Sequence, residues 1–188
     1  MSQPVAVLDA DILVPVLVCD VLLSLFDAEL FQPVVGPTIL AEVERSLVVD
    51  FPHLDPDALR RRVHQMRRAL ALNVHDGADA SADVLAGVNR KDRHVAALAI
   101  ALRVDLVVTN DRRLRREIDA LGQPFRALTA DDFVLRLLID NRDGADDVID
   151  VLVAKRTRRP ITRDALIDQL AVPLPRFVAE LRGTSAPR

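Results

Sequence analysis

Two short Val-rich runs, Val5-Ala6-Val7-Leu8 and Leu106-Val107-Val108-Thr109, lie far apart in the chain, and an acid follows each: Asp9 directly, Asp111 after Asn110. Apolar runs of this length, bounded by polar residues, read as buried strands. Most of the sequence between them has helical periodicity, and strands alternating with helices predict an α/β sandwich around a mostly parallel sheet. In such a sheet ligands bind in the crevice beyond the carboxyl ends of the strands, so Asp9 and Asp111 can share one pocket.

The remaining elements follow from caps and breakers. Pro15 permits a helix start, and Leu17, Val21, Leu22 and Leu25 share a helical face. Residues 31–35 form a second short strand ended by Gly36-Pro37, after which Thr38 is expected to cap a helix over 39–48. Asp55-Pro56 opens a helix to about residue 72, and residues 89–92 begin another with Val95, Ala96, Ala99 and Ile100 inward. The second Val-rich strand precedes a helix over 112–121, stopped by Gly122 and Pro124. An edge strand over 125–128 and a helix over 131–140 complete the unit. Beyond Asn141 only helices are expected, over 145–156, 163–170 and 175–181. The division is therefore an α/β domain over 1–141 and a small C-terminal helical extension over 142–188.

Composition narrows the class. Half of the 188 residues are hydrophobic, enough for a real core and unlike a disordered chain. No apolar stretch reaches the ~20 residues that cross a bilayer, and the first residues lack the basic head of a signal peptide, so a cytoplasmic protein is expected. The single Cys19 excludes an internal disulfide and a thiolate metal site. The net charge of -3 hides an asymmetry: ten acids against Arg45 alone over residues 1–58 (-9), fourteen bases against eight acids over 59–126 (+6), and ten of each beyond. A basic segment beside a negative pool suits a polyanion held next to a metal site, and exposed charged helices would give the same count. Only Lys91 and Lys155 are lysines among 25 basic residues; arginine forks bind phosphate in a bidentate manner, though a GC-rich genome gives the same bias.

Four acids carry the chemistry: Asp9, Glu42, Asp92 and Asp111. Singly each has a plain reading. Asp9 and Asp111 can be turn formers, Asp92 can complement a helix dipole, and Glu42 can be the exposed flank of an amphipathic helix. Together they put carboxylates after two hydrophobic strands and at the start of the intervening helix. Such a group is unfavourable alone and favourable around Mg2+ or Mn2+, which take oxygen ligands.

The pieces Val7-Leu8-Asp9-Ala10-Asp11, Ile39-Leu40-Ala41-Glu42-Val43, Asp92-Arg93-His94-Val95-Ala96-Ala97-Leu98-Ala99 and Val107-Val108-Thr109-Asn110-Asp111 occur in that order. In this the chain resembles PIN-domain ribonucleases over roughly residues 5–140. The helical extension resembles the VapC-like toxins of toxin–antitoxin pairs. The resemblance implies a three-layer PIN-like sandwich and a metal-dependent endoribonuclease. Asp9, Asp92 and Asp111 would hold Mg2+ or Mn2+, and Glu42 would complete the catalytic pocket. Asp11, Thr109 and Asn110 would stand behind these acids and orient them. It also implies an RNA substrate, a cognate antitoxin that covers the acids, and a homodimer. Lys91 is a departure, since this subgroup often carries a second Asp there.

Arg112, Arg113, Arg115 and Arg116, with Arg60, Arg61, Arg62, Arg67 and Arg68, are candidate RNA contacts. Solvated helix faces or docking to an acidic partner are equally open for them. With no Trp or Tyr and six Phe, base stacking is sparse and backbone contacts are the expected grip. His53, His64, His75 and His94 show no paired metal spacing, and His94 reads as a surface or structural residue. Ser24, Ser46 and Ser81 lie in no nucleophile elbow, and six glycines make no phosphate loop. Asp9-Ala10-Asp11 also resembles the opening of HAD-type phosphatases, but Lys155 has no strand-borne acidic pair after it. The nearer alternatives are a PIN nuclease of RNA processing and a catalytically inert PIN-like interaction module.

Overall fold

A computed structural model of the protein describes residues 3–76, 83–157 and 159–184. Four short strands, β1 (Val5–Leu8), β2 (Gln32–Val34), β3 (Leu106–Val108) and β4 (Arg126–Leu128), form one all-parallel sheet in the order β2-β1-β3-β4. Val7 pairs with Val34 on one side and Val107 on the other, and Val108 pairs with Leu128. The central position of β1 and β3 explains their unbroken apolar sequences. Ala6, Val7, Leu8, Leu106, Val107 and Val108 are at most 2% exposed, because both faces of an inner parallel strand are covered. β4 lies at the edge, as its sequence predicts. The other edge is lengthened by a bridge in which Val35 N–H donates to Asn73 O and His75 N–H to Val35 O.

The helices are α1 (Ala10–Leu13), α2 (Val16–Asp27), α3 (Pro37–Asp50), α4 (Pro56–Ala69), α5 (Arg93–Leu102), α6 (Arg112–Asp119), α7 (Ala130–Asp140), α8 (Arg142–Ala154), α9 (Arg163–Leu170) and α10 (Pro175–Thr184). The chain leaves β1 through α1 and α2 toward one edge of the sheet, and leaves β3 through α6 toward the other. Right-handed crossovers running in opposite directions place their helices on opposite faces, which gives three layers. The direction reverses between β1 and β3. At such a switch point the loops part and a crevice opens beyond the strand ends.

Several local expectations are corrected. Thr38 does not cap α3. Gly36 occupies the cap with extended backbone, and Pro37, whose ring presets a helical φ, is the first helical residue. The helix expected to reach residue 72 ends at Ala69. A 3-10 turn over Ala71–Asn73 follows, because the Asn73 carbonyl is drawn to the sheet edge. α1 is too short to show periodicity; it forms because Asp9 caps its start, accepting from Ala10 N–H. α8 follows α7 across Asn141 alone and starts three residues earlier than its sequence suggests.

The C-terminal helices join the core rather than standing off. α8 packs on α2 and α7, and α10 packs on α7. Phe177, Val178 and Leu181 are each at most 2% exposed, worth about 1.5–3 kcal/mol apiece in buried side chain. Asp131 seats α10 by accepting from the amides of Arg176 and Phe177, both at 3.0 Å. Beneath α7, Phe133 meets Phe31 edge to face at 5.0 Å, with both rings fully buried.

Candidate active site

The turn after β3 is built around Thr109, which is completely buried. A hydroxyl has one proton to give, and it goes to Asp9 Oδ2 at 2.7 Å in preference to Asp11 Oδ1 at 3.3 Å. The same oxygen accepts from Asp111 N–H at 3.1 Å. One side chain thus touches three of the acids or their backbones. Asp9, itself 8% exposed, is also held by Ala10 N–H at 2.7 Å. Asp11 Oδ2 accepts from Asn110 N–H at 2.8 Å, and the Asn110 side chain accepts from Ala130 N–H, locking the turn to the start of α7.

These environments separate the acids electrostatically. Burial, then the neighbouring Asp9 charge, pushes the Asp11 carboxyl up to about 7, against the pull of the Asn110 amide and the Thr109 hydroxyl. Asp111 caps α6, with Oδ1 accepting from Arg113 N–H at 2.7 Å and Leu114 N–H at 3.1 Å. Those amides, Leu114 first, hold it below the usual carboxylate range. Asp92 stands at the start of α5 and makes no cap bond. Burial raises its pKa, as do the charges of Asp9, Asp111 and Glu117, while Lys91 opposes them from 3.8 Å. Its Oδ2 is buried with no hydrogen-bond partner. Such an atom costs free energy unless something else satisfies it.

Glu42 reaches the crevice from α3 through His94. His94 Nδ1 lies 2.9 Å from Lys91 O, and a carbonyl only accepts, so Nδ1 carries a proton. Nε2 then lies 3.3 Å from Glu42 Oε2 without a hydrogen bond between them. His94 is therefore part of the acidic crevice, which its lack of paired metal spacing did not suggest. The available signal was its place two residues beyond Asp92, in the first turn of α5. Glu117 was also missed. It accepts from Asn89 N–H at 2.9 Å and Arg113 Nε at 2.6 Å, and its charge acts on both Asp92 and Asp111.

Asp9, Asp11, Asp92 and Asp111 interact with one another at this crevice and Glu42 meets it only through His94, whereas the predicted arginines divide. Arg115 donates to Thr109 O and Asn110 O, both at 3.2 Å, and so braces the acidic turn. Arg113 is paired with Glu117, Arg60 with Asp57, Arg61 with Asp55 and Arg67 with Glu44. Arg62 donates to Leu13 O and Val14 O. Arg68, Arg112 and Arg116 are exposed and have no partner among the described residues. Arg116 lines an open depression of about 360 Å³ with Gly87, Arg113, Glu117 and Ala120. A larger concavity of about 600 Å³ between α2, α4 and α8 contains none of the four acids.

Among the described residues no three His, Cys, Asp or Glu side chains stand close enough together to hold a metal ion by themselves. The donors are all carboxylate oxygens, and the unpaired Asp92 Oδ2 is raised in pKa by Asp9 and Asp111. Such a set fits a Mg2+ or Mn2+ that keeps much of its water, not a dehydrated ion in a tight cage.

The family model described as PIN domain matches residues 5–113, more than half of the chain and all four acids. This chain belongs to the PIN domain family. A curated relative from Mycobacterium tuberculosis, named "Putative ribonuclease VapC50", is 34% identical over 104 residues, covering 53% of this chain. The aligned PIN segment spans about 60% of that relative's length. No solved structure matches the chain. For a PIN domain, the strand order and the crevice between β1 and β3 are the parts that position the acids, and α8–α10 lie outside the matched segment. No helix among the described residues is long and apolar enough to cross a membrane.

Proposed function

We propose that the protein is a divalent-metal-dependent endoribonuclease, the toxin of a type II toxin–antitoxin pair. The observation that carries this reading is the unpaired, buried Asp92 Oδ2 beside the charges of Asp9 and Asp111 at the switch point of a PIN sheet. Asp9, Asp92 and Asp111 would hold Mg2+ or Mn2+, which when bound supplies a water of lowered pKa and neutralises phosphate oxygens. Glu42, 3.3 Å from His94 Nε2, completes the negative wall of the crevice. Thr109 and Asn110 orient Asp9 and Asp11. Arg112 and Arg116, without a partner among the described residues, grip flanking phosphates, while Arg113 and Arg115 are engaged by protein oxygens and shape the rim. The substrate is RNA and the site of action cytoplasmic. The partners are a cognate antitoxin and a second copy of the chain, with residues 142–188 as the extension that distinguishes the subgroup. The named relative supports ribonuclease activity.

Cleavage of RNA by purified protein with and without Mg2+ or Mn2+, alongside Asp9→Asn and Asp92→Asn, tests the reading. Both variants should fold, as judged by circular dichroism, and lose metal-dependent cleavage. Cleavage that survives in both, or persists in EDTA, would remove the acids from the mechanism. Folded protein that binds metal yet cuts no RNA would favour the interaction-module alternative.

A further inference from the structure

We infer that Glu117 is a positioning residue of the metal site, one that fastens the turn carrying Asp92 to the helix capped by Asp111. The inference rests on the metal-dependent reading above. Asp92 sits where a helix is least constrained: it precedes the first turn of α5, whose leading amides have no intrahelical partner, and its own side chain makes no cap bond. The turn before it is held mostly by itself. Asp92 N–H donates to Asn89 O at 2.8 Å, Arg93 Nε to Val88 O at 3.1 Å, and His94 Nδ1 to Lys91 O at 2.9 Å. All of these bonds stay within residues 88–94, so they set the shape of the turn and not its place.

The apolar anchors of the turn are Val88, buried in the core, and α5, which packs on β1 and β3; Glu117 supplies its polar tie. Its Oε2 accepts from Asn89 N–H at 2.9 Å, and among the described residues this is the hydrogen bond that ties residues 88–92 to another element. Oε1 accepts from Arg113 Nε at 2.6 Å, one turn earlier on α6, so the carboxylate is itself locked. Arg113 N–H in turn donates to Asp111. A short path therefore runs Asp92, Asn89, Glu117, Arg113, Asp111, linking two acids that the chain separates by nineteen positions. The Glu117 side chain is 16% exposed and its bond to Asn89 is partly buried, while its pair with Arg113 faces water. Its charge also deepens the field at Asp92, so loss of placement and loss of charge must be told apart.

Three variants separate these effects. Glu117→Ala removes both acceptors and the charge, Glu117→Gln removes the charge but keeps an oxygen for Asn89 N–H, and Arg113→Ala leaves the Asn89 bond intact. Amide hydrogen exchange at residues 89–95 of metal-free protein and Mn2+ binding followed by paramagnetic resonance are the readouts. Glu117→Ala should speed exchange around Asn89 by ~10-fold or more and weaken Mn2+ binding by about 10–100-fold, the range for groups that orient metal ligands. Glu117→Gln should show a smaller gain in exchange, and Arg113→Ala should leave exchange at Asn89 within about twofold of the parent. Unchanged exchange and Mn2+ affinity in Glu117→Ala would overturn the inference. So would equal exchange in all three variants with weakened Mn2+ in both Glu117 variants, which assigns the whole effect to charge. Should Glu117→Ala fail to fold, Gln against the Arg113 variant gives the same comparison. If the parent protein takes no Mn2+, the metal reading fails, while the exchange arm still decides the positioning of the Asp92 turn.

Discussion

Replacing Asp11 by Asn should make the metal-free protein more stable at neutral and alkaline pH. The Asp11 carboxyl titrates near 7 in the folded chain, because burial and the Asp9 charge oppose its ionisation, against an ordinary value of 3.8. Between those values the folded state keeps a proton that the unfolded state has released, so stability falls as pH rises through the window and levels off above about 7. Each pH unit of that window is worth about 1.4 kcal/mol, which sets a ceiling near 4 kcal/mol. Asn does not titrate, and its carbonyl can still accept from Asn110 N–H as Asp11 Oδ2 does. The stability gap between Asp11→Asn and the parent should therefore grow by ~2–3 kcal/mol from pH 5 to pH 8 in EDTA, read from urea unfolding midpoints at constant slope. Saturating Mg2+ should stabilise parent and variant alike, since the proposed ligands Asp9, Asp92 and Asp111 are present in both. A gap independent of pH, or a variant less stable than the parent at pH 8, would show that burial does not control Asp11.

Two further perturbations probe other levels of the structure. Thr109→Val keeps the shape of a fully buried side chain but removes the hydroxyl between Asp9 and the Asp111 amide. It should cost about 2–4 kcal/mol in urea unfolding at pH 7, the loss of a charge-assisted bond with a stranded partner. Phe31→Ala empties one side of the edge-to-face pair with Phe133 and should cost about 3–5 kcal/mol, with an unchanged denaturant slope if only packing is lost.

The parts of the fold legible in the sequence are those fixed by local pattern. β1 and β3 announced themselves because inner parallel strands are apolar on both faces, and α9 occupies the expected residues 163–170. Asp111 was legible as the residue that opens α6, since capping is a nearest-neighbour interaction. The strand order was not, and it is what brings Asp9 beside Asp111. Nor were Glu117 and His94: their partners Asn89 and Glu42 are 28 and 52 positions away, and one of those bonds ends on a backbone amide that leaves no trace in side-chain pattern. The arginines failed for a related reason. Composition cannot distinguish Arg115, spent on two carbonyls, from Arg116, which faces solvent unpaired.

How the charges are satisfied bears on whether these acids are turn formers or a binding site. Acids kept only for structure would be expected to find cationic side chains, and several bases stand close by in sequence. The structure allots those bases elsewhere. Arg113 is taken by Glu117, Arg115 by the Thr109 and Asn110 carbonyls, and Arg93 by the Val88 carbonyl. Among the described residues Asp9 and Asp11 receive only backbone amides and the Thr109 hydroxyl, and Asp92 only Lys91 at 3.8 Å. Dipolar donors fix a carboxylate in direction without cancelling its charge. The result is a set of oriented, under-neutralised oxygens on a sheet whose apolar core supplies the stability to hold them together. On the metal-dependent reading proposed above, such an arrangement would oppose folding without a cation and favour it with one, so the site's cost to the fold and its affinity for a divalent ion would have the same origin.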